Sequence, residues 1–223
     1  MIKKRQEEFP HLKPLDIVTI EKDETITLGN LKIRFFGVTH TIPDAMGVII
    51  ETPYGNIVTP GDFKLEHMNE VVSEREEKEY AAFEKMNTLM LLGESTNIEN
   101  PGFSTPEKLV HEGLEKIITE IKSRLVIGTF ASQMERIEHI VQVCEKLGKK
   151  VVVEGRSMKN NIEILKFVGR LKTKKETFID ASEIDNFPES KIVVLATGAQ
   201  GDEFAALMRM SNKTHKNIKL HEG

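Results

Sequence analysis

Apolar and polar positions follow two different periods along this chain, and the change from one to the other divides it. Through residues 16–59 the apolar runs are short and strand-like: DIVTI, TITLG and LKIRFF, then MGVIIE and NIVT joined at Thr52-Pro53-Tyr54-Gly55. Short runs bounded by Gly, Pro and polar clusters predict strands, and the last two predict a hairpin. Residues 1–15 offer only a polar lead with Pro10 and Pro14. After Asp62 the chain becomes charge-dense, HMNEVVSEREEKEYAAFEKM. Tyr80, Phe83 and Met86 recur there at i, i+3 and i+6, which predicts an amphipathic helix over at least the second half, with SEREEKE as its solvent face.

Beyond residue 86 the period alternates. TLMLL, RLVIGTF, KKVVVEG and KIVVLAT each pass through a loop of small residues into a helical pattern. Thr105-Pro106-Glu107 opens the first of these helices with a cap and a proline at the first helical position. The next three run to Leu147, through Val168 and along EFAALMRM. Strand, loop and helix repeated in this way predict a parallel sheet with helices on its faces. The expected organisation is a β-rich segment over residues 1–85 and an α/β domain over 86–223.

Two constellations carry candidate chemistry. The hairpin returns His40, before its first strand, and Asp62, after its second, to the same end of the sheet. Imidazole nitrogen and carboxylate oxygen are both ligands that zinc or manganese accepts. On spacing alone, a capped loop and a surface carboxylate explain the same pair. The loops Glu94-Ser95-Thr96-Asn97, Ala131-Ser132-Gln133, Gly155-Arg156-Ser157 and Gly198-Ala199-Gln200-Gly201 are expected at one rim, because every loop that follows a strand of an open parallel sheet emerges on the same side. Three of them lead into helix N-termini, which favour an anion such as the phosphodiester backbone. The same residue types are also the ordinary ones for helix caps. Gly198-Ala199-Gln200-Gly201 lacks the spacing of either phosphate-loop motif, so a nucleotide-binding domain is a poor reading.

Composition narrows the partners. Of 223 residues, 39% are hydrophobic and 30% charged, as in a globular domain, and the formal net charge of −4 argues against coating nucleic acid by bulk electrostatics. A local basic groove is compatible with that total, and Lys149-Lys150, Lys172-Lys174-Lys175, and Arg209 with Lys213, His215, Lys216 and Lys219 are the candidate patches. A single cysteine, Cys144, excludes an intrachain disulfide and fits a reducing compartment. No apolar run reaches membrane-spanning length. A cytoplasmic protein without a membrane partner is expected.

Six short runs then fall into a recognisable order. They are His40-Thr41-Ile42-Pro43-Asp44, Thr59-Pro60-Gly61-Asp62-Phe63, Glu94-Ser95-Thr96-Asn97, Pro101-Gly102-Phe103, Gly155-Arg156-Ser157-Met158 and Thr197-Gly198-Ala199-Gln200-Gly201-Asp202. In wording and order they resemble the ribonuclease J branch of the metallo-beta-lactamase superfamily, which inserts an α/β unit, the beta-CASP domain, after its hairpin region. The resemblance implies an α/β fold, with a partial metallo-beta-lactamase sheet followed by a parallel-sheet, beta-CASP-like domain. It implies a metal-dependent ribonuclease with two zinc ions, or manganese or magnesium, hydrolysing RNA. His40 and Asp62 then correspond to metal ligands, Asp62 bridging the ions. Asp62 and Glu94 correspond to catalytic carboxylates, and the rim loops, with Ser95, Ser132, Arg156, Ser157, Gly198 and Gln200, are then expected to grip the RNA.

The chain also departs from that family. The His-x-His-x-Asp-His loop that supplies most of the family's ligands is missing, and no two of the seven histidines stand two apart. Thr59-Pro60 replaces His-Thr, and Glu94 replaces aspartate. The reading is therefore of the middle of such an enzyme, inactive alone, with RNA and a second chain carrying the missing loop as partners. Strand edges left without neighbours predict a homo-oligomer. A non-catalytic module that binds RNA or a partner protein is the alternative.

Overall fold

A computed structural model describes residues 2–199, 201 and 203–220. By contacts the chain divides into two compact units, residues 2–107 and 108–223.

The first unit opens with a short helix, α1 (Ile2–Gln6), and is built on β1 (Thr25–Leu28), β2 (Leu31–Gly37), β3 (Met46–Thr52), β4 (Gly55–Gly61) and, later in the chain, β7 (Thr88–Gly93). Between them lie a two-residue-strand hairpin, β5 (His67–Met68) with β6 (Val71–Val72), and α2 (Glu74–Ala81). The sheet order is β1-β2-β3-β4-β7. The first four strands are antiparallel neighbours, which confirms the expected hairpin, with Thr52 opposite Gly55 at its turn. Alternate residues Phe36, Val38, Ile49 and Val58 are buried and pack with Tyr80, Phe83 and Met86. Phe36 and Phe83 meet edge to face at 4.8 Å between centroids. Gly47 stands opposite Phe36, and any side chain there would lie 2.2 Å from that ring, so the strand crossing depends on its missing Cβ.

Two expectations change. DIVTI, residues 16–20, is not a strand: it has no ladder partner among the described residues, and Val18 is largely exposed. TLMLL does form a strand, but it pairs parallel with β4, from Asn56 opposite Thr88 to Gly61 opposite Gly93. It belongs to the first sheet rather than opening the parallel one. The helix expected over at least the second half of the charged stretch is α2, followed by a 3-10 turn (Ala82–Lys85).

The second unit holds β8 (Leu125–Gly128), β9 (Lys150–Glu154) and β10 (Ile192–Ala196), all parallel, in the order β8-β10-β9. Around them lie α3 (Glu107–Glu120), α4 (Met134–Lys146), α5 (Arg156–Phe167) and α6 (Ala206–Ser211), α3 beginning at the last residue of the first unit. The central strand β10 is apolar at every position and wholly buried, as expected of a strand covered on both faces. Val193 and Leu195 face one core with Val151, Ile137, Ile140, Met158 and Leu165. Ile192, Val194 and Ala196 face the other with Val152, Ile184, Ala206, Met210 and Ile218. Each fully buried aliphatic side chain contributes about 1.5–3 kcal/mol, so this two-sided core fixes the strand ends from which the loops emerge.

Candidate functional site

The pairing of the first sheet decides where the candidate ligands lie. Gly37 pairs with Met46, and Gly61 with Gly93, so the end of β2, the start of β3 and the ends of β4 and β7 share one end of the sheet. His40, Asp44, Asp62 and Glu94 all follow or precede those strand ends by a few residues. A lone bridge between Thr39 and Lys64, with the Lys64 N–H donating to the Thr39 carbonyl at 2.8 Å, ties the loop carrying His40 to the chain just beyond Asp62. His40 is half-buried, and Asp44, Asp62 and Glu94 are exposed. The backbone N–H of Thr96 donates to Glu94 Oε2 at 2.8 Å. That bond and the Thr96 side chain hold the Glu94 carboxyl below the usual carboxylate range, and the nearby His40 imidazole acts in the same direction. His40, Asp62 and Glu94 therefore lie beyond the same end of the first sheet. Among the described residues, however, no three His, Cys, Asp or Glu side chains converge into a group that could hold a metal.

Two buried residues near this end escaped sequence reasoning. Glu76 sits on α2 and is only 2% exposed, although it lies in the stretch expected to face solvent. Its carboxylate accepts the Thr39 hydroxyl, next to His40. The signal for it was present: Glu76, Tyr80 and Phe83 stand at i, i+4 and i+7, on one helix face. His67 is likewise buried, its Nδ1 accepting the Glu70 N–H at 3.3 Å, which leaves Nε2 to donate to the Ser104 carbonyl at 2.7 Å. Phe103 packs on its ring, so His67 anchors the Pro101-Gly102-Phe103 loop.

In the second unit, the loops after β8, β9 and β10 meet at the strands' C-terminal ends. The Thr129 N–H donates to the Ala196 carbonyl and the Thr197 N–H to the Glu154 carbonyl, both at 3.1 Å. Asn161 Nδ2 donates to the Ala131 carbonyl at 2.6 Å, drawing the first of these loops onto α5. Gly155 has φ +112°, and a Cβ there would lie 2.3 Å from Thr197 Oγ1, so the β9 and β10 loops are in direct contact. Ser132, Arg156 and Ser157 are exposed at this rim and Gly198 is half-buried, while Gln200 lies outside the described residues. Ser95, expected at the same rim, instead follows β7 and stands with Glu94 in the first unit, because β7 pairs with β4. Arg156 and Ser157 form the first turn of α5, whose cap residue Gly155 offers no side-chain acceptor. Those backbone N–H groups are the feature of the rim best suited to an anion.

Some of the basic patches dissolve on inspection of their contacts. Lys149 is buried, its ammonium donating to the Ser190 carbonyl at 2.6 Å, and Lys150 donates to the Glu176 carbonyl at the same distance. His215 is buried too, with Nδ1 accepting the N–H groups of Asn217 and Ile218. These groups tie the fold together.

Comparison with known proteins agrees with the runs quoted from the sequence. The family description "Ribonuclease J, beta-CASP domain" matches residues 122–223. The chain is 35% identical over 227 residues to Ribonuclease J 1 of Streptococcus pyogenes serotype M3, covering 100% of this chain and 40% of that protein. It is 32% identical over 211 residues to Ribonuclease J 2 of Staphylococcus aureus (strain NCTC 8325 / PS 47), covering 95% of this chain and 38% of that one. A crystal structure of a protein of unknown function from Enterococcus faecalis V583 superposes with a TM-score of 0.59 at 18% identity, covering 86% of this chain and 46% of that one, which speaks to fold alone. The chain spans about two fifths of the length of the curated relatives it matches. Over that span it is ribonuclease J-like, of the beta-CASP group of the metallo-beta-lactamase superfamily.

Proposed function

We propose that residues 1–223 form the central part of a metal-dependent ribonuclease of the ribonuclease J type, acting on RNA phosphodiester bonds, and that this stretch is inactive alone. The observation that carries the reading is the gathering of His40, Asp62 and Glu94 at one end of the first sheet. Zinc, or manganese or magnesium in its place, would supply an activated hydroxide to such a centre when bound. Imidazole and carboxylate suit these ions, but a catalytic zinc takes three protein ligands, and no such group exists among the described residues. His40 and Asp62 are the chain's contribution to a centre completed by a second chain with the His-x-His-x-Asp-His loop, and Glu94 is the neighbouring catalytic carboxylate.

In this reading Arg156, Ser157, Ser132, Gly198 and Gln200 grip the RNA backbone in the second unit, and Ser95 does so beside Glu94. The first turn of α5, uncapped by any side chain, supports the assignment. A homo-oligomer is part of the proposal, supported by the apolar side chains of β7 that are half or more exposed. So is a cytoplasmic location, supported by one buried free thiol and by the absence, among the described residues, of a helix long and apolar enough to cross a membrane.

The test is reconstitution. Mixed with a chain carrying the missing loop, the protein is expected to cleave RNA in zinc or manganese, and Asp62→Asn to abolish cleavage. A correctly assembled complex that stays inactive overturns the proposal. The second reading, a non-catalytic RNA-binding module, is favoured by the α5 terminus alone. It predicts RNA binding that weakens with salt and ignores chelators.

A further inference from the structure

Beside the rim of the second unit runs a groove of about 410 Å³ that neither the sequence motifs nor the proposed RNA contacts use. One wall is α5, presenting Lys159, Ile162 and Lys166. The other is the extended segment around Phe178, which lies parallel to β9 with Phe178 opposite Val151 and the Ile179 N–H donating to the Val151 carbonyl at 3.1 Å. Because the two run in the same direction, Asp180 comes out near Glu154, next to Gly155-Arg156-Ser157. The groove thus leads directly away from the end where a phosphate is expected.

Its chemistry changes along its length. The middle is apolar, formed by Val153, Ile162 and Phe178, while the Ile179 side chain packs into the other core. The Phe178 ring is half-buried, packs against the core on the α5 side, and carries the Lys166 ammonium 4.3 Å from its centroid, so a stacking partner would take the place of that ammonium. The rim end carries two carboxylates that other residues hold in place. Glu154 Oε2 faces His215 Nε2 at 3.4 Å and Lys159 Nζ at 3.7 Å. His215 cannot turn away, since its Nδ1 is engaged by two backbone N–H groups, and this assigns the ring proton to the nitrogen facing Glu154. Asp180 Oδ1 accepts the Ser182 N–H at 2.9 Å and its hydroxyl at 2.6 Å. Those two bonds keep the Asp180 carboxyl below the usual range, so it remains an acceptor.

The lining has three carboxylates, Glu154, Glu163 and Asp180, against two ammoniums, Lys159 and Lys166, which disfavours a second phosphate inside the groove. What fits is a flat group that stacks on an aromatic ring and offers N–H donors at its edge. Unpaired RNA bases are recognised in this way, stacked on aromatics and hydrogen-bonded along their Watson–Crick edge. Guanine presents adjacent N1–H and N2–H donors, adenine and cytosine a single amino group, and uracil a single imide N–H.

We propose that this groove is a base-binding slot of the RNA site, selective for guanine, with Phe178 as the stacking surface and Glu154 and Asp180 as acceptors for its donor edge. The slot rests on the reading of the neighbouring rim as an RNA site, and the test separates the two. The full chain is titrated with guanosine, adenosine, cytidine and uridine, which carry no phosphate, while the methyl resonances of Val153 and Ile162 are followed by NMR. Guanosine is expected to shift both saturably and to bind at least tenfold more tightly than uridine. Phe178→Leu, which keeps an apolar side chain, is expected to weaken guanosine about tenfold, since one base stacked on an aromatic is worth roughly ten- to hundredfold. Asp180→Asn, which preserves the cap on Ser182, is expected to erase the preference for guanosine while the fold persists. Equal responses to all four nucleosides, or no saturable shift at Val153 and Ile162, overturn the slot. Retention of an RNA oligonucleotide that Arg156→Ala abolishes, without a nucleoside response, leaves the RNA site standing and removes the slot. A guanosine response without oligonucleotide retention does the reverse.

Discussion

The Thr39 hydroxyl donates to the Glu76 carboxylate, joining α2 to the loop that carries His40. Glu76 is almost completely buried, and the Ser73 hydroxyl accepts its backbone N–H at 3.4 Å in the manner of a helix cap. In a capping box the glutamate side chain would turn back on its own helix. Here it reaches across to Thr39 instead, so a local helix-start signal becomes a long-range tie. Thr39 is held a second time by its carbonyl, which accepts the Lys64 N–H.

Breaking that tie has a measurable consequence. Thr39→Val leaves a buried carboxylate without its donor, and a hydrogen bond to a charged group contributes about 1.5–3 kcal/mol, so a stability loss of that size is expected in urea unfolding. Glu76→Gln, which retains an acceptor, is expected to lose less than Glu76→Ala. The His40 imidazole resonances should move in Thr39→Val and stay put in a control such as Val71→Thr on the exposed hairpin. Losses below about 0.5 kcal/mol, the level of an ordinary surface change, would show that the contact is incidental.

Tyr80 stands one helical turn beyond Glu76, and its hydroxyl is buried with no hydrogen-bond partner among the described residues. Burial, then the Glu76 and Glu79 carboxylates, push its pKa from 10.0 up to about 12. The folded chain therefore keeps the phenol proton where the unfolded chain releases it. This contribution to stability is complete below pH 10.0 and disappears as pH rises through about 12. Tyr80→Phe removes a hydroxyl that gains no bond on folding. It is expected to leave neutral-pH stability unchanged or raised by up to about 1 kcal/mol, and to flatten the alkaline decline. A variant clearly less stable at pH 7 would mean that the hydroxyl has a partner in solution.

Gly155 and Thr197 bring two loops of the rim together, and the contact admits no Cβ. In Gly155→Ala the new carbon would lie 2.3 Å from Thr197 Oγ1 and 2.7 Å from Cγ2, at a φ of +112°. Backbone strain and overpacking each cost about 1–3 kcal/mol, so a total loss of about 2–5 kcal/mol is expected. Thr197→Ala removes the two atoms closest to the clash, and the double variant should recover part of the loss. Additive single effects in chemical unfolding would separate the two loops energetically.

How much of this was legible in the sequence depended on whether the signal was local. β8, β9 and β10 could be read because their apolar runs alternate with helical periods, and the core faces of α4 and α5 repeat at helical spacing. His40 and Asp62 reach one end because a hairpin allows no other result. β7 was misplaced for a physical reason: TLMLL has no alternation to mark a face, and nothing within it specifies β4 as its neighbour. Glu76 was hidden by its setting, since one glutamate in a run of charges looks solvated unless the face it shares with Tyr80 and Phe83 is counted. Gly155 looked like a loop glycine, and only its approach to Thr197 shows why no larger residue fits.

The free edge of β7 leads to the last prediction. Leu89, Met90, Leu91 and Leu92 are 55%, 49%, 66% and 52% exposed, and the strand contains no charge. One side pairs with β4; the other edge of the strand ends the sheet order. An uncharged, apolar edge strand is a template for pairing with another chain, and natural edges are protected by lysine or proline. The protein is therefore expected to self-associate in a concentration-dependent way in light scattering. Leu91→Lys places a charge at the most exposed of these positions, where the cost to folding is expected within about 0.5 kcal/mol. That variant should shift the sample toward monomer, whereas Leu109→Lys, on the exposed surface of α3, should not. A wild-type chain that remains monomeric and monodisperse across the concentration range rules out association through this edge.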